Sequence, residues 1–142
     1  LRRQAIAPLA DYNDVQAEVK YGQGSRIDYL LRAQGLPDLY LEIKSVTLCR
    51  QSGLAEFPDS VTKRGAKHLG ELADMVAQGH RAAMLYLVQR TDCTAFDLAR
   101  DIDPAYGHAF DAARAAGVET FCFDTLISPR AVDMSGPVAC RV

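Results

Sequence analysis

The stretch Val15–Val46, VQAEVKYGQGSRIDYLLRAQGLPDLYLEIKSV, decides the fold. Val15, Ala17 and Val19 alternate with Gln16, Glu18 and Lys20, the period-2 pattern of a half-buried strand. Gly22-Gln23-Gly24 turns the chain; it lacks the third glycine and following helix of a dinucleotide fingerprint and reads as a hairpin turn. A second strand runs from Arg26 to about Arg32, and Gly35-Leu36-Pro37-Asp38 turns the chain again into a third, Leu39 to Val46. Two tight turns in succession predict an antiparallel meander.

Upstream, Leu1 to Tyr12 reads as a short helix stopped near Pro8, with Arg2-Arg3 as ordinary solvated charge. Downstream, an irregular stretch passes through Gly53 and Pro58. Ser60 to Gln78 then places Leu69, Leu72, Ala73 and Val76 at i, i+3, i+4 and i+7, an amphipathic helix ended by Gly79. Arg81 to Gln89 holds a continuous apolar run, predicting a strand buried on both faces in parallel pairing after a helical crossover. Asp103-Pro104 is an N-cap with proline at the first helical position, the helix running through Ala116 to a Gly117 stop, and Glu119 to Ile127 forms a further strand. The prediction is one α/β domain over residues 1–142, a mixed central sheet sandwiched by helices.

Composition narrows the function. Sixteen basic against 18 acidic residues leave a net charge of −2, so a polyanionic partner needs a local patch rather than a global field. The longest apolar run, Ala82 to Val88, is far below the roughly 20 residues of a membrane span, so no membrane partner is expected. Cys49, Cys93, Cys122 and Cys140 are scattered, with no CxxC pair, and are read as reduced cysteines of a cytoplasmic protein. His80 and His108 stand alone, and no serine or cysteine sits in a nucleophile-elbow context.

The chemistry-bearing residues interrupt buried strands. Arg26, Asp28 and Leu30 share one predicted face of the second strand, with Ile27, Tyr29 and Leu31 on the other; Tyr40, Glu42 and Lys44 share a face of the third. Neighbouring strands lie about 4.8 Å apart, so these charges can converge. Burial of charge costs several kcal/mol unless it is paired or ligates a metal. Asp28 and Glu42 offer hard oxygen ligands for Mg2+ or Mn2+, with Glu18 as a third carboxylate, and Lys44 stands beside them as a point charge for the attacking water or the transition state. The bland alternative leaves Glu42 and Lys44 exposed on a one-sided sheet and Asp28 paired to Arg26; the pattern alone does not choose. Lys63, Arg64, Lys67 and His68 crowd the first turns of the next helix, unfavourably for its dipole. Phosphate contact accounts for them, with Arg26 also in reach of a phosphate; a solvated face paired with Glu71 is the alternative.

Ser25-Arg26-Ile27-Asp28-Tyr29-Leu30-Leu31, Leu41-Glu42-Ile43-Lys44-Ser45-Val46-Thr47-Leu48 and Phe57-Pro58-Asp59-Ser60-Val61-Thr62 resemble the bacterial sugar fermentation stimulation protein A (SfsA) family, as do Arg64-Gly65-Ala66-Lys67-His68-Leu69 and Gly79-His80-Arg81-Ala82. The resemblance implies the family's C-terminal domain, a restriction-endonuclease-like PD-(D/E)XK core, with Asp28 in the acidic motif and Glu42 and Lys44 in the ExK motif. It also implies an upstream oligonucleotide-binding barrel, DNA ahead of RNA as partner, and a link to sugar (maltose) regulation, either as a metal-dependent nuclease or as a regulator that binds without cutting. A small-molecule or protein-interaction module is a third function class, and a homodimer is an open arrangement. The family often reads Thr-Glu-Arg-Gly-Gln-Lys-His-Leu where this chain has Lys63 and Ala66 for the acid and the amide.

Overall fold

A computed structural model of the chain describes residues 6–127 and 132–142. The expected opening helix is, within them, a single 3-10 turn, Ala7–Leu9. Pro8 lacks the N–H that a longer helix needs, which suits it to a first turn only. Arg2 and Arg3 lie outside the described residues.

The meander forms as the turns predict: β1 (Asp14–Tyr21) pairs antiparallel with β2 (Ser25–Arg32), and β2 with β3 (Leu39–Val46). The stretch read as irregular is instead a hairpin of β4 (Leu48–Gln51) and β5 (Leu54–Phe57). Helix α1 (Lys63–Ala77) starts later than Ser60, where the Thr62 hydroxyl accepts the Gly65 N–H at 3.0 Å. Strand β6 (Arg81–Val88) lies parallel to β3, and β7 (Ala95–Leu98) parallel to β5. Helix α2 (Pro104–Ala116) opens on Asp103 and closes on Gly117 at φ 108°. Strand β8 (Glu119–Ile127) pairs parallel with β6, β9 (Val132–Pro137) pairs antiparallel with β8, and β10 (Ala139–Cys140) joins β7. The result is a six-stranded mixed sheet, β1-β2-β3-β6-β8-β9, beside a four-stranded sheet, β10-β7-β5-β4.

The helices do not sandwich the large sheet. Leu69, Leu72 and Met75 of α1 and Tyr106, Phe110 and Ala113 of α2 pack into one cluster with Ile27, Leu30, Val46, Met84, Tyr86 and Val88. Strands β3, β6 and β8 follow one another in one direction across the sheet, so two right-handed crossovers put both helices on the same face. The other face is covered by Ile6, Leu9 and Tyr12, packed on Leu31, Leu39, Leu41, Ala83 and Leu85. Asp103 joins the two helix starts, one carboxylate oxygen accepting the Tyr106 N–H at 3.0 Å and the other the Thr62 N–H at 2.8 Å.

The alternation along β1 and β2 breaks at one level. Val15 packs with Leu31 in the cluster under Tyr12, whereas Val19 and its cross-strand partner Ile27 pack in the helix-side cluster. In a regular strand Val15 and Val19 would share a face. Between them Glu18 has φ 58°, a left-handed conformation uncommon outside glycine. Ile27 therefore lies on the helix side with Leu30, not with Tyr29 and Leu31, and Ala17 is exposed. By the β1–β2 register Glu18 stands across from Asp28, so the twist falls at the level of the candidate acid.

Candidate metal and nucleic-acid site

Asp28 sits where the β2–β3 ladder stops. The last paired residues are Tyr29 and Leu41; beyond them the Asp28 carboxylate accepts the Ile43 N–H at 2.7 Å, replacing the strand contact. Asp28 is thereby fixed at the mouth between two diverging strands, bonded to β3 rather than paired to Arg26.

One position along, Glu42 is 4% exposed. Its Oε1 receives the Lys44 ammonium at 3.2 Å and lies 3.1 Å from His68 Nδ1; its Oε2 is buried with no partner. Burial pushes the Glu42 carboxyl above its ordinary value, Asp28 pushes it further, and Lys44 pulls it back. His68 is also 4% exposed, and its Nδ1, though close to Glu42, makes no aligned hydrogen bond. Burial pushes the imidazole below its ordinary value, reinforced by Lys44 and Arg64 and opposed by Glu71 and Asp28, which favours the neutral ring beside the acid. The 3.1 Å approach to Glu42 Oε1 is an ion pair only where the ring is protonated.

A cleft of about 470 Å3 opens over these groups, lined by Glu18, Arg26, Asp28, Glu42, Arg64, Lys67 and His68 together with Gly24 and Ser25. Seven of the nine candidate residues are therefore brought to one place. Lys44 meets the site through Glu42 without lining the cleft, and Lys63, exposed at the start of α1, lies off it. His68 shares the cleft with Arg64 and Lys67 but is buried against Glu42 rather than displayed with them, because i and i+4 positions share a helix side without sharing its depth. Among the described residues no three His, Cys, Asp or Glu side chains come close enough to enclose a metal ion, so Glu18 lines the cleft without closing on Asp28 and Glu42.

Two further residues complete the site: Glu71, offered by the sequence only as a partner for the basic face of α1, and Tyr21, which the sequence pattern passes over. Glu71, buried on α1, accepts the Gln23 N–H at 2.9 Å and the Ser25 hydroxyl at 2.5 Å, pinning the β1–β2 turn to the helix. Lys67 donates to the Gln23 carbonyl at 3.0 Å and stands 4.0 Å from Glu71, so the suspected pairing with Glu71 exists and the lysine still borders the cleft. Tyr21 buries a hydroxyl with no partner; burial, then Glu42, Glu71 and Asp28, push it upward. The hold of Glu71 on the turn was not legible, because it acts across 48 positions, and Tyr21 reads as an ordinary strand end.

A model of the family described as "Sugar fermentation stimulation protein RE domain" matches residues 1–131. The chain belongs to the SfsA family. Among relatives, the sugar fermentation stimulation protein homolog of Roseobacter denitrificans is 62% identical over 137 residues, 96% of this chain and 58% of the relative. That of Ruegeria pomeroyi is 65% identical over 135 residues, 95% of this chain and 59% of the relative. The chain thus spans somewhat under three fifths of their length. The solved structure of Pyrococcus furiosus SfsA in complex with Ca2+ superposes with a TM-score of 0.89, at 23% identity, over 99% of this chain and 60% of that one. The likeness establishes that the mixed sheet with its two helices is an SfsA fold.

The donor set suits a hard divalent cation. Two carboxylates, one carrying a buried oxygen with no partner, are a combination that a magnesium- or manganese-sized ion with several retained waters satisfies.

Proposed function

We propose that the cleft is a divalent-metal site of the PD-(D/E)XK nuclease type that acts on DNA phosphodiesters. The observation that carries it is Glu42 Oε2, a buried carboxylate oxygen with no partner, beside Asp28 and under a rim of Arg26, Arg64 and Lys67. Asp28 and Glu42 would hold Mg2+ or Mn2+; when bound, the ion supplies Lewis-acid activation of water and charge neutralisation at phosphorus. Lys44, tethered to Glu42, orients the nucleophile or offsets developing negative charge, and the three rim cations seat the backbone phosphates. His68 packs against Glu42 and limits its rotation. The Ca2+ bound by the P. furiosus relative, which shares the fold, supports a divalent cation here. In the longer relatives, an oligonucleotide-binding barrel of the kind the resemblance implies would extend the DNA contact, in a cytoplasmic protein.

Incubation of the full-length protein with single- and double-stranded DNA and RNA, with and without Mn2+, tests this. Cleavage that needs the metal and is lost in Lys44→Ala is expected; turnover indistinguishable between wild type and Lys44→Ala removes the nuclease assignment. The second reading, a DNA-binding regulator of sugar metabolism that does not cut, is favoured by one observation: no third ligand closes on Asp28 and Glu42 among the described residues. For that reading, DNA binding must survive Glu42→Ala and weaken with Lys67→Ala.

A further inference from the structure

We propose that Cys122 and Cys140 form a thiol-modification site at which a small-molecule disulfide, of the oxidised-glutathione class, installs a reversible cross-link between the two sheets. Cys122 lies on β8 of the six-stranded sheet and Cys140 on β10 of the four-stranded sheet. Their sulfurs are 2.9 Å apart although 18 positions separate them. Both are free thiols. The approach does not depend on the thiols themselves: on either side of Cys140 the Val138 N–H donates to the Cys122 carbonyl at 2.8 Å and the Arg141 N–H to the Phe96 carbonyl at 2.9 Å. Backbone bonds on both sides of Cys140 therefore hold one sulfur over the other.

The two thiols differ in the way sequential exchange requires. Cys122 is buried and Cys140 exposed, so a reagent meets Cys140 first. The Cys122 contact, then the Val142 backbone and Arg114, push the Cys140 thiol down to about 7, while the same contact and burial push Cys122 up. The Cys140 thiolate attacks the reagent disulfide, releasing one small thiol and forming a mixed disulfide. The Cys122 sulfur, already against Cys140, then attacks Cys140 Sγ and expels the second small thiol, which takes up the Cys122 proton. Two protein thiols are oxidised to one disulfide, and one reagent disulfide is reduced to two thiols. Cys93, buried and with its thiol pushed up to about 11 by burial and by Cys49, serves as an internal comparison.

The intact protein is equilibrated in glutathione buffers of graded redox ratio, quenched by alkylation and mapped by mass spectrometry. A Cys122–Cys140 linked peptide is expected, lighter by two hydrogens and restored by dithiothreitol, with Cys49 and Cys93 remaining alkylated. Cys122→Ser is expected to trap a glutathione adduct on Cys140, and the oxidised wild type to melt higher by on the order of 5–10 °C. A stable adduct on wild-type Cys140 with Cys122 still alkylated overturns the proposal, as does a cross-link through Cys49 or Cys93, or no loss of thiols at any ratio.

Discussion

At Glu42 burial and charge pull against each other. A carboxylate that is 4% exposed, with Lys44 on one oxygen and nothing on the other, is held in place at a cost that a bound cation removes. Glu42→Gln is therefore expected to leave the metal-free protein at least as stable as wild type, and to abolish stabilisation by Mn2+, which for a wild-type site at 100 times its Kd amounts to about 2.7 kcal/mol. The pH dependence follows from the direction of the shift. Because folding raises the Glu42 pKa, the stability tied to its protonated form is fully present below the unfolded value and is lost as pH rises through the folded one. Metal-free urea midpoints should thus move in favour of Glu42→Gln as pH rises from the ordinary carboxylate range through the raised folded pKa; a wild type that gains on the variant as pH rises contradicts the account. Asp28, Glu42 and Lys44 drew notice in the sequence because charge inside an apolar strand is conspicuous, but the pattern alone left them open to a surface reading and the family resemblance singled them out. The contact of His68 with Glu42 was not legible, since helical spacing gives the side of α1 but not the depth to which a ring is buried.

Among the elements, the β1–β2 hairpin and α1 act as one unit. Gly22 has φ 58°, and a Cβ there would fall 1.7 Å from Glu71 Oε2, so the glycine serves both the turn and the close approach of the helix. Gly22→Ala is expected to cost on the order of 2–4 kcal/mol, of which only about 1 kcal/mol is backbone conformation. In a Glu71→Ala background the clash is gone, and the second substitution should cost on the order of 1–3 kcal/mol less than it does alone. Denaturant titrations of the four proteins measure this, and additive costs would show that Glu71 does not hold the turn. The turn and the helix were each readable from local signals, glycine spacing and apolar period, whereas their connection is a long-range bond that no local pattern carries. The same limit hid β4, β5 and β7: strands of four residues are too short to display a period, and their stabilisation comes from pairing with one another and from the packing of Phe96 on Tyr86.

For the molecule as a whole, the net charge of −2 means that attraction for DNA needs a local patch, and the proposed one is the cleft rim, where Arg26, Arg64 and Lys67 line the same opening as Asp28 and Glu42. The sheet order and the shared side of the helices set this arrangement, because placing α1 over the β2–β3 mouth carries Arg64 and Lys67 to the same opening as Arg26. Sequence reasoning supplied β1, β2, β3, β6 and β8 of the large sheet and the cations but placed helices on both faces, and only the direction of the two crossovers corrects that. Three rim cations on duplex phosphates predict a shallow salt dependence, with log affinity falling by roughly 3 per decade of salt at about 0.9 per contact. Arg64→Ala should reduce that slope by about 1 and weaken binding to all sequences alike. Lys63→Ala, on a residue of the same helix turn that lies off the cleft, should leave the slope unchanged. Affinities measured from about 50 to 300 mM salt separate the two cases: equal slope losses for Lys63 and Arg64 would mean that DNA follows the exposed end of α1 rather than entering the cleft, and the metal site would then lie outside its path.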